Sequence, residues 1–144
     1  MSDPSRELPK QWKEARRWLV KADDDLAAVR RCVDGDPPLV EPAAFHCQQA
    51  VEKILKALLV AVGISPPRIH DIDALVARAG PAFPELTNEV TAIPDLTSWY
   101  VLSRYPGFAE YHGPSADDVR SMLVRIESLR SAIDRIEQRH TGGP

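Results

Sequence analysis

Apolar residues recur along the chain at helical spacing, in blocks that proline and glycine residues separate. No stretch shows the strict alternation of apolar and polar residues that predicts a β-strand. The first block begins near Lys10 and stops after Val33, where the sequence continues with DGDPP at 34–38. Its apolar positions share one helical stripe, and they are Trp12, Ala15, Leu19, Ala22, Leu26, Val29 and Val33. The pattern predicts a long amphipathic helix.

The second block runs from Pro42 to Gly63, and glycine is the residue that most often follows a helix C-terminus. When its positions are placed at about 100° intervals, apolar residues cover more than half of the circumference. A helix on the outside of a bundle needs an apolar stripe only a little wider than about 100°. We therefore expect this helix to be covered on two sides, by its own bundle and by a second copy of the chain.

Three further helices follow in the pattern. One is predicted at 71–79 and another at 86–104, with an interruption at 93–95. The last begins after Ser115, whose hydroxyl can accept hydrogen bonds from the first backbone amides of the helix. Amphipathic helices joined in this way predict an all-α fold, an up-and-down bundle of four or five helices.

The length and composition fit one soluble domain. The 144 residues are 44% apolar and 27% charged, which is the balance of an ordinary globular protein. We expect the bundle to span 10–139, between a flexible N-terminus at 1–9 and a disordered tail at 140–144. Cys32 and Cys47 lie among apolar neighbours, as small buried residues of a reducing compartment do.

The charge and hydropathy of the chain narrow the possible partners. The formal net charge of −3 argues against a broad, sequence-independent grip on DNA, because such binding needs many cationic side chains. The first residues lack the pattern of a signal peptide, and no apolar run approaches the roughly 20 residues of a membrane span. The sequence therefore predicts a cytoplasmic protein without a membrane partner.

Three segments carry a resemblance to a known family. They are WLVKA at 18–22 with Asp25-Leu26 and Ala28, AFHCQQAVEKILKALL at 44–59 followed by HDI at 70–72, and YVLSRYPG at 100–107. Together they resemble the HEPN domain over about residues 10–138. The middle segment is the most specific, because a generic amphipathic helix has no reason to carry paired glutamines followed by Glu-Lys. The resemblance implies a four- or five-helix bundle that forms a homodimer, here through the helix at 42–63.

The resemblance also implies a function connected with nucleotides or RNA. Many members of the family act beside a minimal nucleotidyltransferase, as one half of a two-component, toxin-antitoxin-like system. A subset are metal-independent endoribonuclease toxins that use an arginine and a histidine. The gap between those two residues is shorter in the family pattern than the seven residues between Arg104 and His112. Three functions stay open: nucleotidyltransferase partner, endoribonuclease, and non-catalytic adaptor bundle.

Arg104, Tyr105 and His112 are the candidate site residues near the end of the fourth predicted helix. The planar guanidinium of Arg104 can hold a phosphate through two hydrogen bonds, or it can cap the last carbonyls of its helix. A tyrosine such as Tyr105 can stack on a base. His112 titrates in the range that general acid–base catalysis needs, but its position before Gly113-Pro114 also fits an exposed loop.

Gln48 and Glu52 are candidates on the second helix, where they lie in or beside the apolar arc one turn apart. They can specify the packing of the helix or the dimer, or they can bind the base or phosphate of a nucleotide. Gln49, Lys53 and Lys56 are expected to form a solvated face.

The remaining histidines give no sign of a metal site. His46 has no second ligand at the spacing that zinc sites use, and His70 is expected to belong to the entry of the third helix. The sequence therefore predicts neither a metal nor another cofactor.

Overall fold

A computed structural model describes residues 4–94, 96, 98–99 and 113–142 of the chain. Its helices are α1 (Pro4–Val33), α2 (Val40–Ala61), α3 (Ile72–Ala79), α4 (Thr87–Thr91) and α5 (Ala116–Thr141), with short 3₁₀ turns at Gly80–Ala82 and Pro84–Leu86. No β-strand occurs among these residues, and the predicted all-α bundle is confirmed. None of the described helices is long and apolar enough to cross a membrane.

The first two helices run antiparallel. The Nζ atom of Lys56, late in α2, lies 5.7 Å from the centre of the Trp18 ring, in the middle of α1. Farther along α1, Asp25 contacts His46, which lies near the start of α2. The direction of α2 is thereby opposite to that of α1, as a short connection between neighbouring helices favours.

The interface between α1 and α5 carries a row of ion pairs. Arg130 donates two hydrogen bonds to the Asp23 carboxylate, at 2.9 and 3.2 Å, and a third to Asp134 at 2.6 Å. Arg30 pairs with Glu127 at 3.1 Å. Partial burial lowers the pKa of the Arg130 guanidinium, but its hydrogen bonds to the two aspartates outweigh burial and raise that pKa above the ordinary value.

Replacing Arg130 with alanine is expected to lower the free energy of unfolding by about 1–2 kcal/mol, because charged hydrogen bonds between α1 and α5 disappear while Asp23 stays half-exposed to water. Urea denaturation followed by circular dichroism measures the loss. Arg135→Ala, an exposed position on the same helix, should change stability by no more than about 0.5 kcal/mol. Equal losses in the two variants would contradict the assignment.

The central helix of the bundle is α2, which packs against α1, α3 and α5. Most of its residues are buried by these three neighbours, and they include Ala43, Ala44, Cys47, Ala50, Val51, Ile54, Leu55, Ala57, Leu58, Leu59 and Ala61. The wide apolar arc of this helix is thus covered within a single chain. Its width does not require a second copy, and the homodimer stays a prediction.

Helix boundaries differ from the predicted ones at two places. The first helix begins at Pro4, so Pro9 lies inside it and most of the segment 1–9, predicted to be flexible, is helical. The fourth predicted helix, 86–104, is represented by the short α4, which ends at Thr91 just before the predicted interruption. The part from 100 onward lies outside the described residues.

Both ends of α5 follow from side chains visible in the sequence. Ser115 Oγ accepts a hydrogen bond from the Asp118 amide at 3.1 Å, and the Asp118 carboxylate accepts one from the Ser115 amide at 2.9 Å. This reciprocal pair satisfies two backbone donors that the helix itself leaves unpaired. Gly142 adopts φ = 69° and ends the helix, which extends into the tail predicted at 140–144.

Cys47 lies in the buried centre of α2, where burial raises the pKa of its thiol to about 12. We expect native protein at about pH 8 to react with a thiol reagent only at the half-buried Cys32, because the thiolate is the reacting form. A Cys32→Ser variant should therefore stay unlabelled until urea is added. Rapid native labelling of that variant would refute the prediction.

Candidate functional site

A line of polar residues runs along the otherwise apolar α2. Gln48, Glu52 and Lys56 follow one another at intervals of four, so they lie on one face of the helix. All three are buried. Burying polar and charged groups is costly unless they find partners, so each of these three residues is expected to have a hydrogen-bond or ion-pair partner.

Glu52 is the centre of the resulting polar network. Its Oε1 atom lies 2.7 Å from Nδ1 of His70 and accepts a hydrogen bond from Gln48 Nε2 at 3.4 Å. Its Oε2 atom accepts from Lys56 Nζ at 3.5 Å. Because an ionised carboxylate only accepts hydrogen bonds, Nδ1 of His70 carries a proton in this arrangement. Both carboxylate oxygens of Glu52 are therefore occupied by donors.

Gln48 connects this network to the backbone and to its neighbour. Its Nε2 atom also donates to the carbonyl oxygen of His70 at 3.4 Å. Its Oε1 atom accepts from Gln49 Nε2 at 2.6 Å. Gln48 thus holds the backbone of His70, and Glu52 holds its ring. Both the main chain and the side chain of this histidine are therefore constrained.

Lys56 corrects the expectation that Gln49, Lys53 and Lys56 form a solvated face. Lys56 is buried, because the Trp18 ring of α1 covers its ammonium group in a cation–π contact. Gln49 and Lys53 are half-buried and both are hydrogen-bonded to protein side chains. The prediction is wrong for Lys56.

A second polar cluster joins α1 to α2. The buried carboxylate of Asp25 lies 2.8 Å from His46 Nδ1 and accepts a hydrogen bond from Lys53 Nζ at 2.5 Å. Each oxygen of Asp25 has its own partner on α2, and the two partners lie about two helical turns apart. This arrangement is a bridge between two helices, and we call it the Asp25 bridge.

The two histidine–carboxylate pairs differ in how far the histidine side chain is exposed to solvent. In the Glu52 network, the His70 side chain is 59% exposed whereas the Glu52 side chain is 5% exposed. A carboxylate that holds one imidazole nitrogen fixes the tautomer and orientation of the ring, which prepares it for proton transfer. Among the described residues, no set of three metal-ligating side chains converges.

The structure brings together only part of the predicted site. Gln48 and Glu52 meet in the network, whereas Arg104, Tyr105 and His112 lie outside the described residues. Sequence reasoning missed the contact of Glu52 with His70. The spacing of Gln48, Glu52 and Lys56 on one face was a usable signal, and His70 belonged to the segment that resembles the family. Nothing in the sequence indicated that His70 meets Glu52, 18 positions away.

Comparison with known proteins bears on the chain as a whole. A family model described as the HEPN domain matches residues 15–136, a range that contains the Glu52 network and the Asp25 bridge. Comparisons with curated proteins and with solved structures returned no match. A match over so much of the chain is specific to the family, and the all-α bundle agrees with it. The chain therefore belongs to the HEPN family, whose members are associated with nucleotides and RNA.

Proposed function

We propose that this chain is the nucleotide- or RNA-associated half of a two-component, toxin-antitoxin-like system, with a minimal nucleotidyltransferase as its partner. Family membership supports the association with nucleotides and RNA. The observation that carries the proposal for this chain is the Glu52 network, a set of buried polar groups that leads from the core of α2 to an exposed histidine.

The network favours a binding site over a purely structural adaptor. Replacing a buried ion pair by apolar residues of similar volume is often neutral or stabilising, so Glu52 and Lys56 are not needed to hold a bundle together. A bundle that served only as an adaptor would be as stable with apolar residues at both positions. The polar groups are instead arranged around His70, which is open to solvent. Supporting a group that contacts a ligand is the simplest role for them.

Binding can be measured through the tryptophans. Trp18 contacts Lys56, a member of the network, so nucleotides and short single-stranded RNA are expected to change its fluorescence. His70→Ala should weaken the apparent affinity about tenfold, or about 1.4 kcal/mol. A Trp18→Phe control shows whether the signal comes from that ring. A flat response of the wild-type protein to every nucleotide and RNA would favour the adaptor.

The partner can be tested in the native cell. A tagged full-length chain is expected to co-purify with a minimal nucleotidyltransferase, and producing the chain alone is expected to slow growth unless that partner is also present. Recovery of the chain without a nucleotidyltransferase, together with normal growth, would count against the two-component system while leaving nucleotide binding to be judged by fluorescence.

We also propose that the chain forms a homodimer through α2. Support comes from the family resemblance, which implies a homodimer through this helix, and the half-buried Phe45 is the position at which we test it. Light scattering should give twice the chain mass for the wild-type protein and the chain mass for Phe45→Glu. Val124→Glu, at an exposed apolar position of α5, should leave the dimer intact. A wild-type monomer at all concentrations would exclude the dimer.

A metal-independent endoribonuclease is the second candidate function, and the carboxylate-held His70 is the observation that favours it. In this proposal Arg104 stabilises charge on the phosphorane, His112 transfers protons, and the product carries a 2′,3′-cyclic phosphate. With chelator present, Arg104→Ala and His112→Ala are each expected to slow RNA cleavage by about 10²-fold or more. Cleavage that is unaffected by both substitutions would point to a contaminant.

A further inference from the structure

We propose that a groove between the first half of α1 and the end of α2 binds the base and the phosphate of a nucleotide, with the base on Trp18 and the phosphate at Lys10. The proposal rests on the association with nucleotides or RNA proposed above, and it gives that association a site of its own. The groove lies beside the Glu52 network, because Trp18 lines the groove and also contacts Lys56 of the network.

One wall of the groove is formed by the turn that ends α2. Gly63 adopts φ = 80°, a left-handed conformation that glycine reaches without strain, and the Ile64 amide donates to the Leu59 carbonyl oxygen at 2.9 Å. A methyl group on Gly63 would come within 3.0 Å of the Gln11 side-chain amide, so the turn lies directly against α1. The residues after the turn and the facing part of α1 therefore form the two sides of an open groove.

The groove has the size and the mixed lining of a small-molecule site. It offers about 390 Å³ of space, which is within the roughly 300–1,000 Å³ of ligand pockets. Both walls contribute apolar side chains, of which Trp18 is half-buried and Ile64 is 45% exposed. Polar side chains lie among them, and they are Lys10, Gln11, Glu14 and Ser65. Apolar walls with a few polar groups are typical of sites that bind a partly planar, partly charged molecule.

Trp18 is a stacking surface that the protein already holds in place. The ammonium group of Lys56 lies over its ring at 5.7 Å, and Lys56 is itself paired with the buried Glu52. The part of the indole that stays exposed lines the groove. Every nucleobase has a π-face that can stack on an aromatic side chain, so this contact suits a base of any identity.

The polar groups of the groove are available to a ligand. Among the residues that the structure describes, the side chains of Lys10, Gln11 and Ser65 have no hydrogen-bond or ion-pair partner. An amide such as that of Gln11 offers both a donor and an acceptor to the edge of a base, and a lysine ammonium binds phosphate as a point charge. The Glu14 carboxylate pairs with Arg17 at 3.4 Å, which offsets its charge, and it can accept hydrogen bonds from ribose hydroxyls.

The lysines on either side of Trp18 distinguish a free nucleotide from one nucleotide of an RNA strand. Lys10 precedes Trp18 by about 12 Å along the helix, and Lys21 follows it by one turn. Both lysines are exposed. A strand carries a phosphate on each side of a base and can use both lysines, whereas a free nucleotide carries its phosphates on one side and uses Lys10 alone. The base-and-phosphate chemistry is the same in the two cases.

The first experiment is a calorimetric titration of the full-length chain with nucleoside monophosphates, nucleoside triphosphates and a short single-stranded RNA. Trp18→Ala is expected to weaken binding about tenfold or more, because the stacking surface is removed. Lys10→Ala should weaken it about fivefold. Lys13→Ala removes an exposed lysine of the same helix that does not line the groove, and it should stay within about twofold of the wild-type affinity.

Ile64 allows a second test that leaves Trp18 in place. Because this side chain is exposed, Ile64→Glu and Ile64→Lys should both keep the melting temperature of the wild-type protein. The two variants add long side chains of opposite charge to the same wall. Ile64→Glu should weaken the binding of a phosphate-bearing ligand about fivefold, and Ile64→Lys should keep or raise the affinity. Equal weakening by both variants would mean that the groove does not recognise a phosphate, and it would overturn the proposal.

The third experiment uses Lys21→Ala and salt to identify the source of the nucleotide. For RNA bound along α1, Lys10→Ala and Lys21→Ala should each make the plot of log affinity against log salt concentration shallower by about 0.7. Lys21→Ala should bind free nucleotides as the wild type does. If Lys21→Ala changes the binding of RNA no more than that of free nucleotides, the groove binds the free nucleotide.

The outcomes distinguish the groove from the function on which it rests. If the wild-type protein binds none of the nucleotides and no RNA, the association with nucleotides and RNA is rejected, and the groove loses its role with it. If the wild-type protein binds them and Trp18→Ala, Lys10→Ala and Ile64→Glu bind equally well, only the groove is rejected. If Trp18→Ala does not fold, the Ile64 pair and Lys10→Ala decide between these outcomes.

Discussion

Replacing Glu52 with alanine is expected to lower the free energy of unfolding by about 3–5 kcal/mol. The substitution leaves the buried ammonium of Lys56 without its carboxylate and removes one hydrogen-bond acceptor each from Gln48 and His70. An uncompensated buried charge is far more costly than a lost surface ion pair, because burial removes most of the water that would solvate it. Urea denaturation followed by circular dichroism would measure the loss.

The matched control removes both charges. Glu52→Leu combined with Lys56→Met fills a similar volume with apolar atoms and is expected to be within about 1 kcal/mol of the wild type, or more stable. This double variant should nevertheless lose the nucleotide or RNA response, because His70 is no longer held. Stability and function would then separate. A loss below about 1 kcal/mol for Glu52→Ala alone would mean that Lys56 reaches water and that the network is not a buried one.

Helix positions were predictable because local chemistry determines them. The end of α1 at Val33 follows from the run DGDPP, which cannot continue a helix. The start of α5 follows from Ser115 and Asp118, whose side chains cap the same turn from which they come. In both cases the deciding residues lie within a few positions of the boundary, so that a single sequence contains the necessary information.

The surroundings of each helix were less predictable, because periodicity shows which face is apolar but not what covers it. The wide arc of α2 was interpreted as a surface for a second copy, yet α1, α3 and α5 cover it within one chain. Lys56 was predicted to lie on a solvated face together with Gln49 and Lys53. Its burial depends on Trp18, which approaches from a different helix.

Only part of the candidate site could be predicted from the sequence. Gln48 and Glu52 stood out because polar residues at helical spacing within an apolar arc must find partners. The contact of His70 with these residues could not be predicted, since the segment 62–71 that returns along α2 has no repeating pattern in the sequence. Arg104, Tyr105 and His112 were chosen from the family resemblance and stay predictions. If the Glu52 network and those residues form one site, substitutions in both groups should affect the same activity.

Replacing Trp12 with alanine is the second change with a large expected effect, again about 3–5 kcal/mol in the free energy of unfolding. Trp12 is fully buried near the start of the bundle, where α1 meets the end of α5. Its Nε1 atom donates to Nδ1 of His140 at 3.3 Å, and the two rings meet edge to face at 5.8 Å. Phe83 stacks on the same His140 ring at 6.2 Å. The substitution therefore leaves a cavity where three segments of the chain meet.

Two further variants divide this loss into packing and hydrogen bonding. His140→Ala keeps the indole but leaves its N–H without the imidazole acceptor, which should cost about 1–3 kcal/mol. Trp12→Phe keeps an aromatic ring without the donor, and we expect it to be less destabilising than Trp12→Ala because most of the cavity is filled. Lys13→Ala, the exposed neighbour of Trp12, should have almost no effect. If Trp12→Ala were as mild as Lys13→Ala in thermal and urea unfolding, Trp12 would not be part of the core that joins α1 to α5.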